Sequence, residues 1–281
     1  MQNKKPNLYL HVGPHKTGST TIQSSFFENS GGLFDLGYIY PKMYKEAAFK
    51  EQHSELVTYS EIDNGSKTKN FFTLLHDEVI INKKNGAIIS GEEFSNLQYD
   101  KFLNVFYTEI ESDWNVQYYF YKRPIKELMI SNALQFLFGE LGYFFQMNYR
   151  IEHFFEEFIE ASLRKEEFFR KRNTCFIELN TVSKNIAMDL FHRISQIELS
   201  ALNLTTLNSS IEKENNPNII LSYPIRIMYG MINKVSPDSE VAYQEALEKL
   251  NTNNSYDEKI LKDFKDFLQY QADQALKKYK I

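Results

Sequence analysis

Four short apolar runs, with stretches of helical spacing between them, are the feature that most constrains the fold of this chain. None of the runs shows sustained alternation of apolar and polar residues, which is typical of parallel strands buried on both faces. The predicted strands cover residues 8–12, 86–90, 116–121 and 174–179, and the predicted helices cover 20–27, 70–81, 125–138 and 183–194. Because strands that alternate with helices form crossover units, the sequence predicts an α/β fold with a central parallel sheet.

The rest of the chain is predicted to add helices in the middle and at the C-terminal end. Residues 134–172 are dense in Phe, Tyr, Glu, Arg and Lys, a composition that favours long amphipathic helices, whereas residues 62–70 and 203–218 are polar and predicted to be loops. A further helix is predicted over 251–280, where one apolar stripe has i, i+4 spacing: Phe264, Leu268, Ala272 and Leu276. No repeat or linker divides the sequence, so we predict one domain over residues 1–281, a three-layer sandwich around the sheet.

Composition excludes several classes of protein. The formal net charge of −5 argues against sequence-independent binding to nucleic acid, which needs a broad basic face. Cys175 is the only cysteine, so no intrachain disulfide is possible, and its apolar surroundings favour a buried small side chain. Residues 1–7 are polar, and no window approaches the roughly 20 apolar residues that span a bilayer. We therefore expect a cytoplasmic protein without stable membrane insertion.

A glycine-containing turn at residues 13–21 joins the first predicted strand to the first predicted helix. Such a turn exposes backbone amides beside the positive end of the helix dipole, and the two together bind phosphate. Gly13 and Gly18 have the separation found in nucleoside triphosphate loops, but Ser19 occupies the position where those loops require lysine. The lysine here is Lys16, two positions before Gly18. This displacement argues against ordinary use of ATP.

The string Gly-Pro-His-Lys-Thr-Gly-Ser-Thr-Thr at residues 13–21 resembles the 5′-phosphosulfate loop of sulfotransferases that use 3′-phosphoadenosine-5′-phosphosulfate (PAPS). It is most similar to the bacterial and Golgi-type branch that sulfates carbohydrates. The resemblance implies that Lys16 stabilises the leaving bridging oxygen and that His15 touches the sulfate or the acceptor, with a structural role for His15 as the alternative. It also implies a set of residues that bind the cofactor: Lys16, Thr17, Gly18, Ser19, Thr20 and Thr21.

A second signature of the family pairs an arginine at the end of a strand with a serine eight positions later. Arg123 follows the third predicted strand and Ser131 lies eight residues beyond it. By resemblance, the two hold the 3′-phosphate that distinguishes PAPS from ATP, and the planar guanidinium suits phosphate. Pro124 directly follows the arginine, one position earlier than in many relatives, and Lys122 is the alternative contact.

Acids after the second predicted strand supply the candidate base. Sulfuryl transfer requires the attacking acceptor to lose a proton, which a carboxylate can accept. The segment Ser90-Gly91-Glu92-Glu93 resembles the Ser-Ser-Glu of bacterial sulfotransferases, which places Glu92 near the acceptor. Two other interpretations remain open: acids that complement the dipole of a following helix, or a Mg²⁺-binding acid of a kinase. Glu93 and His53 are further candidates for contact with the acceptor.

Taken together, these patterns predict a sulfotransferase that moves a sulfuryl group from PAPS to a hydroxyl or amine of a carbohydrate or small-molecule acceptor, with PAP as product. No pair among the six histidines has metal-ligand spacing, and the scheme requires no metal. The alternatives are a P-loop kinase with an atypical loop and an inactive protein that binds PAP. The sequence does not identify the acceptor or the oligomeric state.

Overall fold

The computed structural model describes residues 5–14, 17–44, 47–48, 52–138, 151–182, 185–196 and 255–281. His15, Lys16 and the predicted loop 203–218 lie outside these residues. The chain divides into two compact units, Met1–Arg123 with Arg164–Asn208, and Pro124–Leu163 with Ser209–Ile281. This division into units does not test the predicted single domain over residues 1–281, which stays a prediction.

A five-stranded, all-parallel sheet forms the centre of the first unit. Its strands are β1 (Asn7–His11), β2 (Tyr38–Ile39), β5 (Gly86–Ser90), β6 (Asn115–Lys122) and β7 (Thr174–Glu178). They lie in the order β2-β5-β1-β6-β7, so β1 is central and is flanked by β5 and β6. A separate antiparallel pair consists of β3 (Met43–Tyr44) and β4 (Ala47–Ala48). The four predicted strands and the parallel sheet are confirmed.

Helices cover both faces of this sheet because its strands bury side chains on both sides. On one face, α1 (Ser19–Glu28), α2 (Ser30–Asp35) and α9 (Ile186–Ser195) pack through residues that include Ile22, Leu33 and Leu190. On the other, α3 (Glu55–Ile62), α4 (Ser66–Ile81) and α5 (Asp100–Val105) pack through residues that include Leu56, Phe72 and Phe102. A π-helical turn (Phe106–Ile110) and α6 (Glu111–Asp113) then lead into β6. The first unit is thus a three-layer α/β arrangement.

The predicted loop over residues 62–70 is wrong, because only 63–65 form a turn between α3 and α4. Gly65 has a φ of 82°, which ends the turn in a conformation that glycine adopts readily. Lys67 and Lys69 are exposed in the first turns of α4, whereas Thr68 is buried between them. The polar composition of this segment therefore belongs to the solvent face of a helix.

The second unit contains α7 (Ile125–Phe138), the first part of α8 (Ile151–Arg170) and α10 (Ser255–Tyr279). An ion pair of 2.7 Å between Lys126 and Asp273 joins α7 to α10. Leu268 and Ala272 are buried, which confirms the predicted C-terminal helix and the centre of its stripe. Nowhere in the described ranges does a helix combine the length and the apolarity that crossing a bilayer requires.

Candidate functional site

Three of the predicted polar clusters lie at the carboxyl edge of the sheet in the first unit. Loop 13–21 follows β1, the two glutamates follow β5, and Arg123 follows β6. Since the three strands are parallel neighbours, their carboxyl ends meet at one edge, where open α/β sheets bind ligands. The fold therefore places these segments where the sequence predicted a site.

The end of loop 13–21 leads into α1 through a left-handed glycine. Gly18 has φ 86° and ψ 13°, a left-handed conformation that strains any residue with a Cβ atom. The first hydrogen bond inside α1 runs from Ile22 N to Gly18 O, at 3.2 Å. Among the residues that the structure describes, no side chain caps α1, and no acid lies in its first turn, whereas Asn185 accepts hydrogen bonds from two amides in the first turn of α9. The positive end of α1 is thus open to an anion.

Thr17 and Gly13 close the loop on itself. The Thr17 hydroxyl donates to the carbonyl of Pro14 at 2.6 Å, and the side chain is fully buried. A Cβ atom on Gly13 would lie 2.9 Å from Thr17 Oγ1 and 3.1 Å from His11 Nε2. Because the Thr17 hydrogen is used inside the loop, this residue offers a ligand its backbone rather than a hydroxyl donor.

His11, at the end of β1, lies beside the start of this loop. Its ring is 1% exposed, and Nδ1 is 2.8 Å from the hydroxyl oxygen of Ser90 on the neighbouring strand. Nε2 has no hydrogen-bond partner within the described residues. Burial lowers the pKa of His11 to about 4, and the charge of Glu92 acts in the opposite direction. His11 is therefore a neutral, fixed imidazole near Gly13 and Glu92, and the sequence predictions gave it no role.

Two residues on α1 resemble His11 in having a buried polar side-chain atom without a hydrogen-bond partner in the described residues. The Ser19 hydroxyl and the Gln23 side-chain nitrogen are buried and also lack a partner among the described residues. They are four positions apart and so lie on one face of the helix. A buried polar atom without a partner costs about 1–3 kcal/mol, and such atoms are rare in folded proteins. Three of the six such atoms among the described residues lie in the β1–loop–α1 segment, which is compatible with a ligand site there.

Glu92 and Glu93, at the start of the short 3₁₀ helix Glu92–Ser95, act on different neighbours. Glu93 accepts a hydrogen bond from Asn96 at 3.3 Å, and its charge raises the pKa of Tyr99. Burial lowers the pKa of Lys165, while the charge of Glu93 opposes this effect. The charge of Glu92 instead acts on His11. Of the two acids, Glu92 is the one on the side of β1 and the loop.

His53 is buried beside β5 with both ring nitrogens paired to the backbone. Nε2 is 2.9 Å from the carbonyl of Pro41, so Nε2 carries the hydrogen, and Nδ1 accepts from the amide of Ser90 at 3.2 Å. Burial lowers the pKa of His53 to about 4. These contacts give His53 an observed role in ordering the carboxyl end of β5, and its predicted contact with the acceptor stays a prediction.

Arg123 and Ser131 belong to different units of the chain. Arg123 ends the first segment of the first unit, directly after β6, and Ser131 lies in the second turn of α7 in the second unit. Their predicted convergence on a 3′-phosphate stays a prediction. Lys122, the alternative contact, pairs with Glu166 at 3.1 Å and with Glu178 at 3.7 Å. Its charge is therefore largely balanced within the first unit.

A groove of about 600 Å³ lies elsewhere in the first unit, on β6, β7 and the end of α9. It includes none of the predicted site residues and is lined by Gln117, Tyr119, Cys175, His192, Arg193 and Gln196. The guanidinium of Arg193, which lines the groove, forms an ion pair with Asp189 (Nε to Oδ2, 2.8 Å), so the groove presents little free positive charge. We place the candidate site at the carboxyl edge, where the polar groups converge.

Among the residues that the structure describes, no group of three or more His, Cys, Asp or Glu side chains is arranged to hold a metal ion. Comparison of the chain with protein-family models and with curated proteins gave no match. The resemblance to sulfotransferases thus depends on the residues of loop 13–21 and on those that follow β5 and β6.

Proposed function

We propose that this chain is a sulfotransferase that transfers a sulfuryl group from PAPS to a hydroxyl or amine of a carbohydrate or small-molecule acceptor and releases PAP. One observation carries the proposal: after the central strand, a left-handed glycine turn leads into a helix with no acid in its first turn and no side-chain cap among the described residues. Glu92 approaches the same place from the neighbouring strand. The sequence of the loop, with serine where ATP-binding loops need lysine, favours a phosphosulfate over a triphosphate.

The cofactor would be held by its two ends. The first amides of α1 and the backbone from Thr17 to Thr21 would bind the 5′-phosphosulfate, because they present donors and the positive end of a helix. By the resemblance to the family's second signature, Arg123 would bind the 3′-phosphate through two parallel charge-assisted bonds, and Ser131 is the serine of that signature. Lys16 and His15 would lie beside the sulfuryl group.

The reaction would be an in-line displacement at sulfur. The acceptor oxygen or nitrogen forms a bond to sulfur while the bond between sulfur and the bridging oxygen of the 5′-phosphate breaks. The acceptor proton passes to the carboxylate of Glu92, a step that contributes about 10²–10⁴-fold when the base is positioned. Charge that develops on the bridging oxygen is stabilised by Lys16 and the start of α1. No step in this scheme calls for a metal, and we propose that it takes place in the cytoplasm.

Calorimetry with PAP, ADP and ATP–Mg²⁺, together with release of PAP from PAPS in a mixed acceptor panel, tests the proposal. We expect PAP to bind most tightly and PAPS to be consumed. Lys16→Ala should abolish turnover, while the matched change Lys277→Ala, at an exposed position on α10, should not. Preference for ATP–Mg²⁺ would instead indicate a kinase. Tight PAP binding without turnover would indicate an inactive binding protein.

A further inference from the structure

The buried imidazole of His11 has one nitrogen whose hydrogen-bonding capacity the described residues leave unused. Nδ1 is fixed by Ser90 at 2.8 Å, so the ring cannot turn to pair Nε2 without losing this contact. Nε2 is buried and lacks a partner in the described parts of the chain. It lies 3.1 Å from the point that a Cβ atom on Gly13 would occupy. The unused nitrogen therefore faces the first residue of loop 13–21.

A second unused group lies at the other end of the same loop. The hydroxyl of Ser19, the first residue of α1, is buried and has no partner among the described residues. Each such atom costs about 1–3 kcal/mol when no ligand pairs with it. A strand and a helix that each present an unpaired polar atom next to an anion-binding turn suggest one ligand that satisfies both.

We propose that His11 is a binding residue of this site, whose Nε2–H donates a hydrogen bond to the anionic group held by loop 13–21. The inference depends on the proposed function only for the identity of that group, the 5′-phosphosulfate of PAPS. Anionic oxygens accept hydrogen bonds, so Nε2 carries the hydrogen and Nδ1 accepts from the Ser90 hydroxyl. The result is a directed chain of hydrogen bonds, in which the Ser90 hydroxyl donates to His11 and His11 donates to the ligand.

This role suits a neutral imidazole. Because burial keeps the pKa of His11 near 4, the ring contributes a hydrogen bond without a charge at neutral pH. Tyr121 packs against the imidazole of His11 in an edge-to-face arrangement, with the two ring centroids 5.7 Å apart, and so restricts the movement of the imidazole. Tyr121 in turn donates to Asp189 at 2.7 Å, so its own orientation is fixed from α9.

The test measures binding of PAP, ADP and inorganic pyrophosphate to the full chain and to variants at position 11. In His11→Asn the amide can still reach Ser90 but not the position of Nε2, and in His11→Gln a donor returns near that position. We expect His11→Asn to weaken PAP and pyrophosphate about tenfold and His11→Gln to stay within about threefold of the wild type, as for loss and retention of one hydrogen bond to a charged group. His153→Asn, at an exposed position on α8, is the matched control.

Each outcome decides between the inference and the proposed function. If folded His11→Asn binds pyrophosphate and PAP like the wild type, the inference is wrong and the proposed function is unaffected. If the wild type binds pyrophosphate without preferring PAP over ADP, the proposed function is wrong, and the variants still decide the role of His11 with pyrophosphate. If the wild type binds none of the three ligands, both fail.

Ser90→Ala keeps the test decisive if His11→Asn does not fold. This variant retains the imidazole but removes the hydroxyl that orients it, so we expect a threefold to tenfold loss of pyrophosphate affinity. Circular dichroism and the melting temperature of the ligand-free protein report on the fold separately. Unchanged affinity in folded Ser90→Ala would overturn the directed chain from Ser90 through His11.

Ser19→Ala separates a role in binding from a role in structure. If the hydroxyl serves a ligand, its removal relieves an unpaired buried group, so the ligand-free protein should melt at the same or a higher temperature while affinity for pyrophosphate falls. If the hydroxyl serves only the fold, the melting temperature should fall and affinity should not change. That second result would contradict the inference that one ligand satisfies both groups.

Discussion

The two histidines that contact Ser90 are alike in burial but differ in how many of their ring nitrogens have hydrogen-bond partners. His11 and His53 are both buried, and burial lowers the pKa of each to about 4. His53 has backbone partners at both nitrogens, whereas His11 has a partner at Nδ1 alone within the described residues. Burial and titration therefore do not separate the two histidines, whereas the number of paired nitrogens does.

The proposed function places the chemistry on the side of β5 that faces β1, where the charge of Glu92 acts on His11, and gives His53 a structural role on the other side. The strongest test is Glu92→Gln, which removes the proposed base while it keeps the shape of the side chain. We expect sulfuryl transfer to fall by about 10²–10⁴-fold, the range for a positioned general base, with PAP affinity retained. Initial rates with PAPS measure the effect.

Glu93→Gln is the matched control for this change, since Glu93 interacts with Asn96 and Lys165 rather than with His11. Its transfer rate should stay within a few fold of the wild type. Full activity in Glu92→Gln, or an equal loss in both variants, would remove the distinction between the two sides of β5.

His53→Ala should act on stability rather than on binding. The change leaves the carbonyl of Pro41 and the amide of Ser90 without their partner, which costs roughly 2–4 kcal/mol of unfolding free energy. Urea denaturation measures this loss, and His153→Ala at an exposed position should stay within about 0.5 kcal/mol. A variant that keeps its stability but loses PAP affinity would place His53 in the site and erase the contrast with His11.

Both histidines should make the protein sensitive to mild acid. Their pKa lies near 4 in the folded chain, below the ordinary value of 6.5, so both are neutral in both states above pH 6.5. As the pH falls from 6.5 toward 4, the unfolded chain binds protons that the folded chain does not. Each histidine should then lower the free energy of unfolding by about 1.4 kcal/mol per pH unit.

Denaturation curves at pH 7, 6 and 5 test this effect, and His11→Gln isolates the share of one histidine. The slope for the variant should be smaller by about 1.4 kcal/mol per pH unit than the slope for the wild type. Equal slopes would mean that His11 titrates normally and is not buried as the structure places it.

A smaller effect on stability is expected at Gly18, the residue before α1. Gly18→Ala forces a Cβ atom into a left-handed conformation and to within 2.9 Å of Ile186 Cδ1, which should cost about 1–2 kcal/mol of unfolding free energy. Gly31→Ala is the matched control, because it lies in α2 with open space around it and should be neutral or stabilising by up to about 1 kcal/mol. Equal melting temperatures for the two variants would argue against the left-handed turn.

Much of the fold could be predicted from the sequence because the longer strands of the parallel sheet, β1, β5, β6 and β7, appear as apolar runs. The strand at residues 86–90 and the helix at 125–138 agree with the structure at both ends. In contrast, β2 and the β3–β4 pair have two residues per strand, too few for any periodicity. The segment at 62–70 was misassigned because its polar side chains face solvent from a helix.

The sequence pointed to loop 13–21 and to Glu92 as candidates, but not to His11 or Ser90. Glycines and hydroxyl residues mark a loop in sequence, whereas His11 lies in an apolar run where its side chain resembles a core residue. Its pairing with Ser90 depends on the register of two strands that are 79 positions apart in the chain. Which of the two glutamates acts on His11 likewise required three-dimensional neighbours.

A crystal structure of the chain with PAP bound tests the central claim most directly. The account predicts the 5′-phosphate on the first amides of α1, next to Lys16 and within hydrogen-bond distance of His11 Nε2. It also predicts the 3′-phosphate at Arg123. A nucleotide bound elsewhere, for example in the groove between β7 and the end of α9, with loop 13–21 empty, would contradict it.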